Sequence, residues 1–338
     1  MRVFMPSRIL DRNVGGNTTY ARELAARLPR HGVSVERLRS ASKPALTMLA
    51  ESWDSYRKRP ESVIHFVADT GPVIKPRTPS VVTVHGVASR WIKTARNTPQ
   101  ELIWRSRVSA ALRFSDRVVT VSQSSADDIA EVFGVERSAI SVIPHGITLE
   151  RFGVAAPLSQ DIDEKLPSEF ILYLGNIEPR KNLIELISAV EGDESIPRLV
   201  IAGKPAWNFA ATMEVINNSK RVLYLGFVTD SDRTALMKRC KAFVFPSLYE
   251  GFGFPVLEAM AAGAPVITTN RGSLKEVSGP AWILDETDRE SIALGIGTAL
   301  ADDAWLKKAP WTGQEWAATF SWEESVRRHV DLYKELVQ

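Results

Sequence analysis

Twelve short runs of β-branched and apolar residues alternate with longer helical stretches, six on each side of a polar segment at residues 148–169. The run "FILYLG" (170–175) is continuously apolar and "SVIHFV" (62–67) is mostly so, which is typical of parallel strands covered by helices on both faces. Twelve strands are too many for one doubly wound sheet. We therefore predict an α/β fold of two Rossmann-like doubly wound domains that face each other across a cleft, with 148–169 as linker and surface loop.

The same pattern sets the domain boundaries. We expect an N-terminal domain at 1–150, a second domain at 151–318 and a C-terminal helix within 319–338, where the amphipathic stretch 321–337 opens with a serine cap. The predicted strands are 2–7, 33–38, 62–67, 80–85, 117–122, 140–144, 170–175, 198–203, 222–227, 242–247, 265–269 and 281–284. The other predicted helices are 17–30, 44–58, 100–114, 123–133, 181–191, 208–218, 231–240, 254–262, 273–278 and 288–301.

Composition excludes several classes of protein. A single cysteine, Cys240, excludes an internal disulfide and a cysteine zinc site. No apolar run is long enough to span a bilayer, and the N-terminal stretch "MRVFMPSRIL" is too short for a signal peptide, so a cytoplasmic location is expected.

Charge is divided unevenly along the chain. Residues 1–150 carry 22 Lys and Arg against 14 Asp and Glu, and the remaining residues carry 20 against 26. The basic half indicates an anionic partner, with solvated surface arginines as an equal alternative. Because the excess is spread out, no nucleic acid is expected as a partner.

Two cations follow the predicted strand 170–175. That strand ends in Gly175 and leads into "NIEPRKN", where Arg180 and Lys181 stand at the start of a helix. Cations oppose the dipole at a helix N-terminus, which favours an anion bound there by the helix amides. The motif predicts a diphosphate site, and two solvated side chains are the alternative.

Two glutamates bracket the segment "EGFGFPVLE". Pro255 fits the first turn of a helix, so Glu250 lies too far upstream to be its cap. Gly251 and Gly253 would let backbone amides approach an oxyanion or sugar hydroxyls. Glu258 stands among apolar residues and needs a partner, which a ribose diol would supply; a surface position is the alternative.

A glycine pair follows the first strand. Gly15 and Gly16 precede a helix that Asn17 or Thr18 would cap, as in an anion or sugar site. The pair is not a G-x-G-x-x-G fingerprint, so no nicotinamide cofactor is expected.

Three histidines are candidates of different strength. His85 ends a predicted strand and is followed by glycine, which favours a functional role over a structural one. His65 is a weaker candidate, and His145 is expected to pack.

The "DID" string at 161–163 matches a metal signature of some sugar transferases. It lies in the polar segment and not after a strand, so we interpret it as solvated loop charge and predict no metal.

Taken together, "NIEPRKN", "PSLYEGFGFPVLEAMAAGAPVI" and "VIPHGITLERF" resemble retaining glycosyltransferases of the GT-B class, family 4 (glycosyl transferases group 1). The likeness runs from "GGNTTYARELAARL" to the last helix, which in the family crosses back to the N-terminal domain. There are two departures. Asn176 stands after Gly175, where many members have arginine, so Arg180 would have to take its place, and the first domain looks short.

The resemblance implies a role for each motif residue. Glu250 would contact the hydroxyls of the transferred sugar, and Glu258 would hold the ribose. Lys181, with Arg180, would contact the diphosphate, and His85 would lie beside the donor sugar. The remaining implied contacts are the amides of Gly251, Phe252, Gly253 and Phe254 near the sugar, Val228 at the base, Gly15 and Gly16 near the diphosphate and acceptor, and Gly175 with Asn176 at the second phosphate contact.

The implied activity is metal-independent transfer of a hexose with retention. Mannose or rhamnose is the first choice, with a GDP-sugar favoured over a UDP- or dTDP-sugar as donor and no cofactor. The acceptor would be a hydroxyl of a glycan or a lipid-linked acceptor in bacterial polysaccharide or glycoconjugate synthesis. The basic half would suit peripheral contact with the anionic cytoplasmic face of the inner membrane. The alternatives are a sugar-nucleotide epimerase, a phosphorylase or a non-catalytic subunit that binds a sugar nucleotide.

Overall fold

The computed structural model describes residues 1–11, 15–39, 44–92, 98–153 and 157–338. Its chain divides into two compact units. The first unit takes the described residues of 1–90, 98–146 and 321–338, and the second takes 91–92, 147–153 and 157–320. The end of the chain therefore belongs to the first unit, although it follows the second unit in sequence.

The first unit is built on a parallel sheet of short apolar strands. They are β1 (Arg2–Pro6), β2 (Ser34–Leu38), β3 (Ser62–Phe66), β4 (Ser80–Thr83), β5 (Arg117–Thr120) and β6 (Ile140–Val142). Among the described residues they lie in the order β2-β1-β3-β4-β5-β6. β3 and β4 are buried along their whole length, as their mainly apolar sequences predict, whereas the edge strand β2 is largely exposed.

The second unit repeats this plan. Its strands are β7 (Phe170–Leu174), β8 (Arg198–Ala202), β9 (Val222–Gly226), β10 (Ala242–Phe245), β11 (Val266–Thr268) and β12 (Trp282–Ile283). In the described part of the chain they lie in the order β12-β11-β10-β7-β8-β9, and all pairs are parallel. Two such sheets with flanking helices confirm the predicted α/β class with two Rossmann-like doubly wound domains.

Helices connect the strands, because parallel neighbours cannot be joined by a tight turn. In chain order they are α1 (Ser7–Leu10), α2 (Gly16–Arg27), α3 (Pro44–Ser55), α4 (Ala88–Trp91), α5 (Thr98–Phe114), α6 (Gln123–Phe133), α7 (Glu150–Gly153), α8 (Gln160–Asp163), α9 (Leu183–Gly192), α10 (Ala210–Asn218), α11 (Asp230–Arg239), α12 (Phe254–Ala261), α13 (Leu274–Val277), α14 (Arg289–Ala301), α15 (Asp303–Ala318) and α16 (Trp322–Val337). None of the helices in the described ranges combines the length and apolar character that crossing a bilayer requires.

Each sheet has one point where the strand order reverses. In the first unit the chain moves from β1 to β2 on one side and returns to β3 on the other. In the second unit the same reversal separates β7 from β10. Ligands of doubly wound sheets bind outside the carboxyl ends of the strands at such a reversal. We therefore look for a ligand site at the carboxyl edge of each sheet, next to its reversal.

Two sequence predictions about connecting segments were wrong. The segment 148–169 contains the short helices α7 and α8, and its residues 154–156 lie outside the described residues. The "DID" string is therefore on a short helix, where Asp163 pairs with the exposed Arg239. Helix α15 was not predicted, because Pro310 lies inside it and breaks the expected helical composition.

Gly203 should not tolerate a side chain. It follows β8 with a φ of +153°, and a Cβ there would lie 1.8 Å from the carbonyl oxygen of Gly175, which follows β7. Because the atom that the Cβ would meet belongs to the backbone, the clash can be removed only by moving the chain itself. We expect Gly203→Ala to lower the free energy of unfolding by more than about 2 kcal/mol, measured by urea denaturation.

Gly297→Ala is the matched control for that variant. Gly297 lies inside α14, and a Cβ at this position meets nothing within 4 Å. Alanine there should be neutral or stabilise by up to about 1 kcal/mol. Equal stability of the two variants would contradict the close approach of the β7 and β8 ends.

Candidate active site

The candidate site of the second unit lies where its strand order reverses. β7 leads to a 3-10 helix at Pro179–Lys181, and β10 leads to the loop that ends at Gly253. These two connections follow the carboxyl ends of neighbouring strands. The fold thereby brings Lys181 to Glu250, which lies 69 residues further along the chain.

Glu250 is a buried carboxylate held by two cations. Lys181 Nζ lies 2.5 Å from its Oε1, and Arg180 Nη1 lies 2.6 Å from its Oε2. Ser247 Oγ donates a third hydrogen bond to Oε1, at 2.7 Å. Burial by itself raises the pKa of Glu250, but Arg180 and Lys181 outweigh burial and lower this pKa to about 2. The carboxylate is therefore ionised at neutral pH.

A second carboxylate, Glu178, completes the charge balance. Arg180 Nε donates to Glu178 Oε1 at 2.9 Å, and Arg180 Nη1 also donates to the Tyr249 carbonyl oxygen at 2.7 Å. Burial opposes the charge of Arg180, but Glu250 and Glu178 together raise its pKa. We name Glu178, Arg180, Lys181 and Glu250 the charge cluster. It contains two cations and two anions.

Lys181 is the less firmly protonated cation of the charge cluster. Burial first and Arg180 second lower its pKa, against the opposing effect of Glu250. Its ammonium group has three N–H donors, and Glu250 accepts one of them. An anion brought to this ammonium would favour its charged form, which is the chemistry of a phosphate site.

Glycine and serine fix the backbone of Glu250. The Glu250 carbonyl oxygen accepts from the Ser273 amide at 3.0 Å and from Ser273 Oγ at 2.9 Å. A Cβ on Gly272 would lie 2.6 Å from the same oxygen, so a larger residue would displace the loop. The position of the Glu250 side chain is thus set from two segments of the chain.

The loop after Glu250 begins helix α12 as the sequence predicts. Gly253 is the N-cap, with a φ of +105°, and the helix starts at Phe254, so Glu250 is not a cap. Phe252 is buried, and its ring packs against the rings of Phe254 and Phe320. Since the Phe252 side chain faces the protein, Phe252 can meet a ligand there only through its backbone.

Glu258 has a protein partner that the sequence did not suggest. It lies on α12 and forms an ion pair with Arg233 on α11. Burial lowers the pKa of Arg233 to about 10, so the guanidinium stays charged at neutral pH. The prediction that Glu258 needs a partner was correct, and Arg233 supplies one. The position of Arg233 in the sequence gives no indication of this ion pair.

Three other predicted contacts lie at strand ends of the second unit. Gly175 and Asn176 follow β7, and the Tyr173 hydroxyl donates to the Asn176 carbonyl oxygen at 2.8 Å. Val228 follows β9, beside the start of α11. All three stand at the carboxyl edge of the sheet, where a ligand site is expected.

The remaining predicted residues, Gly15, Gly16 and His85, belong to the first unit. Gly15 is the N-cap of α2 with a φ of +109°, and the helix begins at Gly16. The prediction that Asn17 or Thr18 caps this helix was wrong, because both lie within its first turn. A glycine fits the cap because its φ lies in a region that side chains disfavour.

His85 follows β4 and is held by two hydrogen bonds. Its amide donates to Asp69 Oδ1 at 2.8 Å, and its Nε2 donates to the Val67 carbonyl oxygen at 3.1 Å. Burial lowers the pKa of His85, although Asp69 opposes the shift. The ring is thus neutral at neutral pH, with its proton on Nε2.

Four of the five histidines of the chain surround Tyr20. The Tyr20 ring lies 5.0 Å from the His85 ring and 4.8 Å from that of His145, with His65 and His329 at 6.1 and 5.7 Å. His145 packs here, as predicted. Sequence reasoning missed Tyr20 and His329. The signal for His329 was its place, with Tyr333 one turn later, on the apolar face of the last helix.

A continuous hydrogen-bond chain runs through these residues, and its direction is fixed at one end. His329 Nδ1 lies 2.7 Å from the Ser325 carbonyl oxygen, which can only accept, so the neutral ring must accept at Nε2 from the Tyr20 hydroxyl. The Tyr20 oxygen then accepts from Thr83. We name the buried residues Tyr333, His65, Thr83, Tyr20 and His329 the histidine network.

The far half of the histidine network follows from the same logic. Because Thr83 donates its only hydroxyl proton to the Tyr20 oxygen, Thr83 Oγ1 must accept a hydrogen bond from His65 Nε2, at 2.8 Å. His65 Nδ1 then accepts from the Tyr333 hydroxyl at 2.6 Å. The network joins α16 to α2, β3 and β4, and its pattern requires both histidines to be neutral.

Acidification should destabilise the histidine network. Burial lowers the pKa of His329 to about 4, whereas histidine in an unfolded chain titrates near about 6.5. Below that pH the unfolded chain binds more protons, so the free energy of unfolding falls as the pH drops from about 6.5 toward 4. His329 alone should account for a loss of about 2 kcal/mol by pH 5, measured by urea unfolding.

Two variants test the source of this pH dependence. His31→Gln is the comparison variant, because His31 lies outside the histidine network and contacts Glu323. His329→Gln should flatten the pH dependence. Glu250 does not interfere, because its contribution is lost only as the pH falls from about 4.5 toward about 2. Equal slopes for wild type and His329→Gln would contradict the assignment.

Known proteins resemble the chain over most of its length. The family model described as glycosyl transferases group 1 matches residues 157–312, and the model described as glycosyltransferase family 4 matches residues 46–151. O-antigen chain mannosyltransferase B from Escherichia coli is 32% identical over 229 residues, which are 65% of this chain and 55% of that protein. The chain thus spans about half the length of this relative.

Solved structures share the fold. Sucrose-phosphate synthase from Thermosynechococcus elongatus matches with a TM-score of 0.79 at 20% identity, covering 99% of this chain and 98% of that one. Anabaena Alr3699/HepE in complex with UDP-glucose matches with a TM-score of 0.76 at 16% identity, covering 99% and 100%. At these identities the likeness shows the fold alone. The two family models, which together match most of the sequence, show that the chain belongs to glycosyltransferase family 4, the glycosyl transferases group 1, and has its GT-B fold.

Proposed function

We propose that the protein transfers a hexose from a nucleoside diphosphate sugar to a hydroxyl of a glycan or lipid-linked acceptor. The observation that carries this proposal is the buried charge cluster at the strand reversal of the second unit, where Arg180 and Lys181 meet Glu250. Mannose is our first choice of sugar, supported by the E. coli mannosyltransferase relative. The alternatives of an epimerase or a non-catalytic subunit are not favoured by the known relatives.

The cations of the charge cluster suit a departing diphosphate. As the bond between the anomeric carbon and the phosphate oxygen breaks, negative charge grows on the leaving group. Arg180 and Lys181 can stabilise that charge in a buried site, where electrostatic interactions are strong. They would supply the positive charge that a divalent metal supplies in other transferases, so we propose metal-independent transfer.

Glu250 suits hydrogen bonding to the sugar better than nucleophilic attack. Each of its oxygens already accepts from a cation, which stabilises the ionised form and lowers its nucleophilicity. We propose that the acceptor hydroxyl attacks on the face that the diphosphate leaves, with retention. The new bond joins the acceptor oxygen to the anomeric carbon, and the acceptor proton passes to the departing phosphate oxygen.

The roles of the other predicted residues stay predictions. Glu258 would accept from the ribose hydroxyls while Arg233 keeps it ionised. The amides of Gly251 to Phe254 would meet the sugar or phosphate, since the Phe252 ring is buried. His85, in the first unit, keeps its implied place beside the donor sugar as a prediction. A cytoplasmic location is also proposed and not observed.

Loss of either partner in the central ion pair should slow transfer strongly. We expect Lys181→Ala and Glu250→Gln to lower transfer from GDP-mannose by at least about a hundredfold, because each removes charge or hydrogen bonding at the reacting centre. The measurement is release of GDP and of glycosylated acceptor, with and without EDTA. EDTA should leave the wild-type rate unchanged.

The exposed pair Lys241 and Glu169 is the matched control. It is also a Lys–Glu ion pair of the second unit, at 3.3 Å, but it lies at the surface. Lys241→Ala and Glu169→Gln should keep wild-type rates. Wild-type transfer in both Lys181→Ala and Glu250→Gln would refute the proposed site, and loss of activity with EDTA would refute metal independence.

The donor base can be identified from thermal stability. A ligand that binds the folded protein alone raises the melting temperature with its concentration. We expect GDP to raise it more than UDP or dTDP at equal concentration, and Lys181→Ala to reduce that gain. A larger shift with UDP or dTDP would replace the proposed donor class while leaving the charge cluster as the diphosphate site.

A further inference from the structure

Three large apolar side chains on helix α3 of the first unit and directly after it face solvent. Leu49, Trp53 and Tyr56 follow each other at spacings of four and three residues, so they lie on one face of the helix and its last turn. Their exposed fractions are 61, 75 and 45%. A surface helix of a soluble domain normally shows the opposite pattern, with its apolar stripe toward the core.

The opposite face of α3 is polar and buried. It carries Glu51, Ser52, Asp54 and Ser55. Glu51 pairs with Arg8 at 2.7 Å, and Asp54 pairs with Arg59 at 2.9 Å. Ser52 Oγ accepts from the Val73 amide at 3.2 Å. These buried polar groups have hydrogen-bond and ion-pair partners inside the unit, so they hold the helix in this orientation. The apolar face therefore stays exposed and is free to contact a partner outside the protein.

Cations border the apolar face. Arg57 and Lys58 are exposed and directly follow Tyr56. Arg77 is also exposed, and its guanidinium lies 4.5 Å from the centre of the Tyr56 ring. The acidic side chains Glu51 and Asp54 of the same helix are turned inward. Arg57, Lys58 and Arg77 thus place exposed positive charge beside the stripe, although Arg57 Nε also lies 3.9 Å from Asp54 Oδ1. This agrees with the excess of Lys and Arg in residues 1–150.

We propose that Leu49, Trp53, Tyr56, Arg57 and Lys58 form a surface, the α3 docking surface, that binds an anionic lipid bilayer. Apolar side chains would enter the boundary between headgroups and acyl chains, and the cations would meet lipid phosphates. Tryptophan and tyrosine suit this depth because each has an apolar ring with one polar group.

Size favours a bilayer over a second protein. A stable protein interface buries about 800 Å² on each partner, with roughly 20 to 30 residues a side. Three apolar side chains on two turns of helix supply far less than that. An interfacial helix needs no such area, because each buried apolar group and each nearby cation adds to binding by itself.

The α3 docking surface does not rest on the proposed function. It names a partner of the first unit, whereas the charge cluster belongs to the second, so membrane binding would stand if the protein transferred no sugar. If transfer is also established, the surface would bring the enzyme to lipid-linked acceptors.

Co-sedimentation of the full chain with vesicles tests the proposal. We expect binding to vesicles of phosphatidylglycerol and phosphatidylcholine at low salt, and much weaker binding to pure phosphatidylcholine or at high salt. Leu49→Ser with Trp53→Ser should weaken binding at least about tenfold, and so should Arg57→Glu with Lys58→Glu.

Helix α15 of the second unit offers a matched control. It carries an exposed tryptophan, Trp311 at 59%, beside the exposed Lys307 and Lys308. Trp311→Ser and Lys307→Glu with Lys308→Glu should change vesicle binding by less than about twofold, because one tryptophan without a stripe holds a bilayer poorly. All variants should keep the melting temperature of the wild type without any ligand, which shows that they are folded and leaves the proposed function separately testable.

Three results would overturn the proposal. The first is no binding of the wild type to anionic vesicles at low salt. The second is equal loss of binding in the α3 and α15 variants, which would indicate non-specific adhesion. The third is a dimer in light scattering without lipid that Trp53→Ser converts to monomer, which would assign the surface to a second copy of the chain.

Discussion

The buried carboxylate of Glu250, held between Arg180 and Lys181, is the interaction on which the proposed chemistry depends. Removing a charge from water costs several kcal/mol, so none of these groups can be buried without its partners. The fold meets that requirement by placing the ends of β7 and β10 side by side. Once paired, the four charges of the cluster balance, and the cations proposed to hold a diphosphate are kept buried and ordered by protein carboxylates.

In the first unit, buried polar side chains are stabilised by hydrogen bonds between neutral groups. Its histidine network links the last helix to α2, β3 and β4 by hydrogen bonds whose direction is set by the Ser325 carbonyl oxygen. Such a network stabilises only while each member keeps the right proton, since a buried group without a partner is costly. Tyr20 connects the network to His85 through ring contact. The order of this region thus depends on pH, whereas the Glu250 carboxylate, with a pKa of about 2, stays ionised well into the acidic range.

Much of the fold was predictable from sequence, because continuous apolar runs leave few choices for a parallel strand. The start of α12 was predictable too, since proline and glycine act locally at Pro255 and Gly253. The pairing of Glu258 with Arg233 was not, because it depends on how α11 packs on α12. Nor was the pairing of Lys181 with Glu250, since sequence suggested an external anion where the structure has a carboxylate of its own. Helix α15 was missed because Pro310 opposes helix locally and only tertiary packing overrides it.

The central claim is that Lys181 and its neighbours hold the diphosphate, and a thermodynamic cycle tests it most directly. Calorimetry would compare the affinities of guanosine and GDP for wild type and Lys181→Ala, so that the difference isolates the contact between phosphates and ammonium. A charge-assisted contact in a buried site predicts a coupling free energy of about 2 kcal/mol or more. A coupling near zero, with GDP still bound, would contradict the account and place the diphosphate elsewhere.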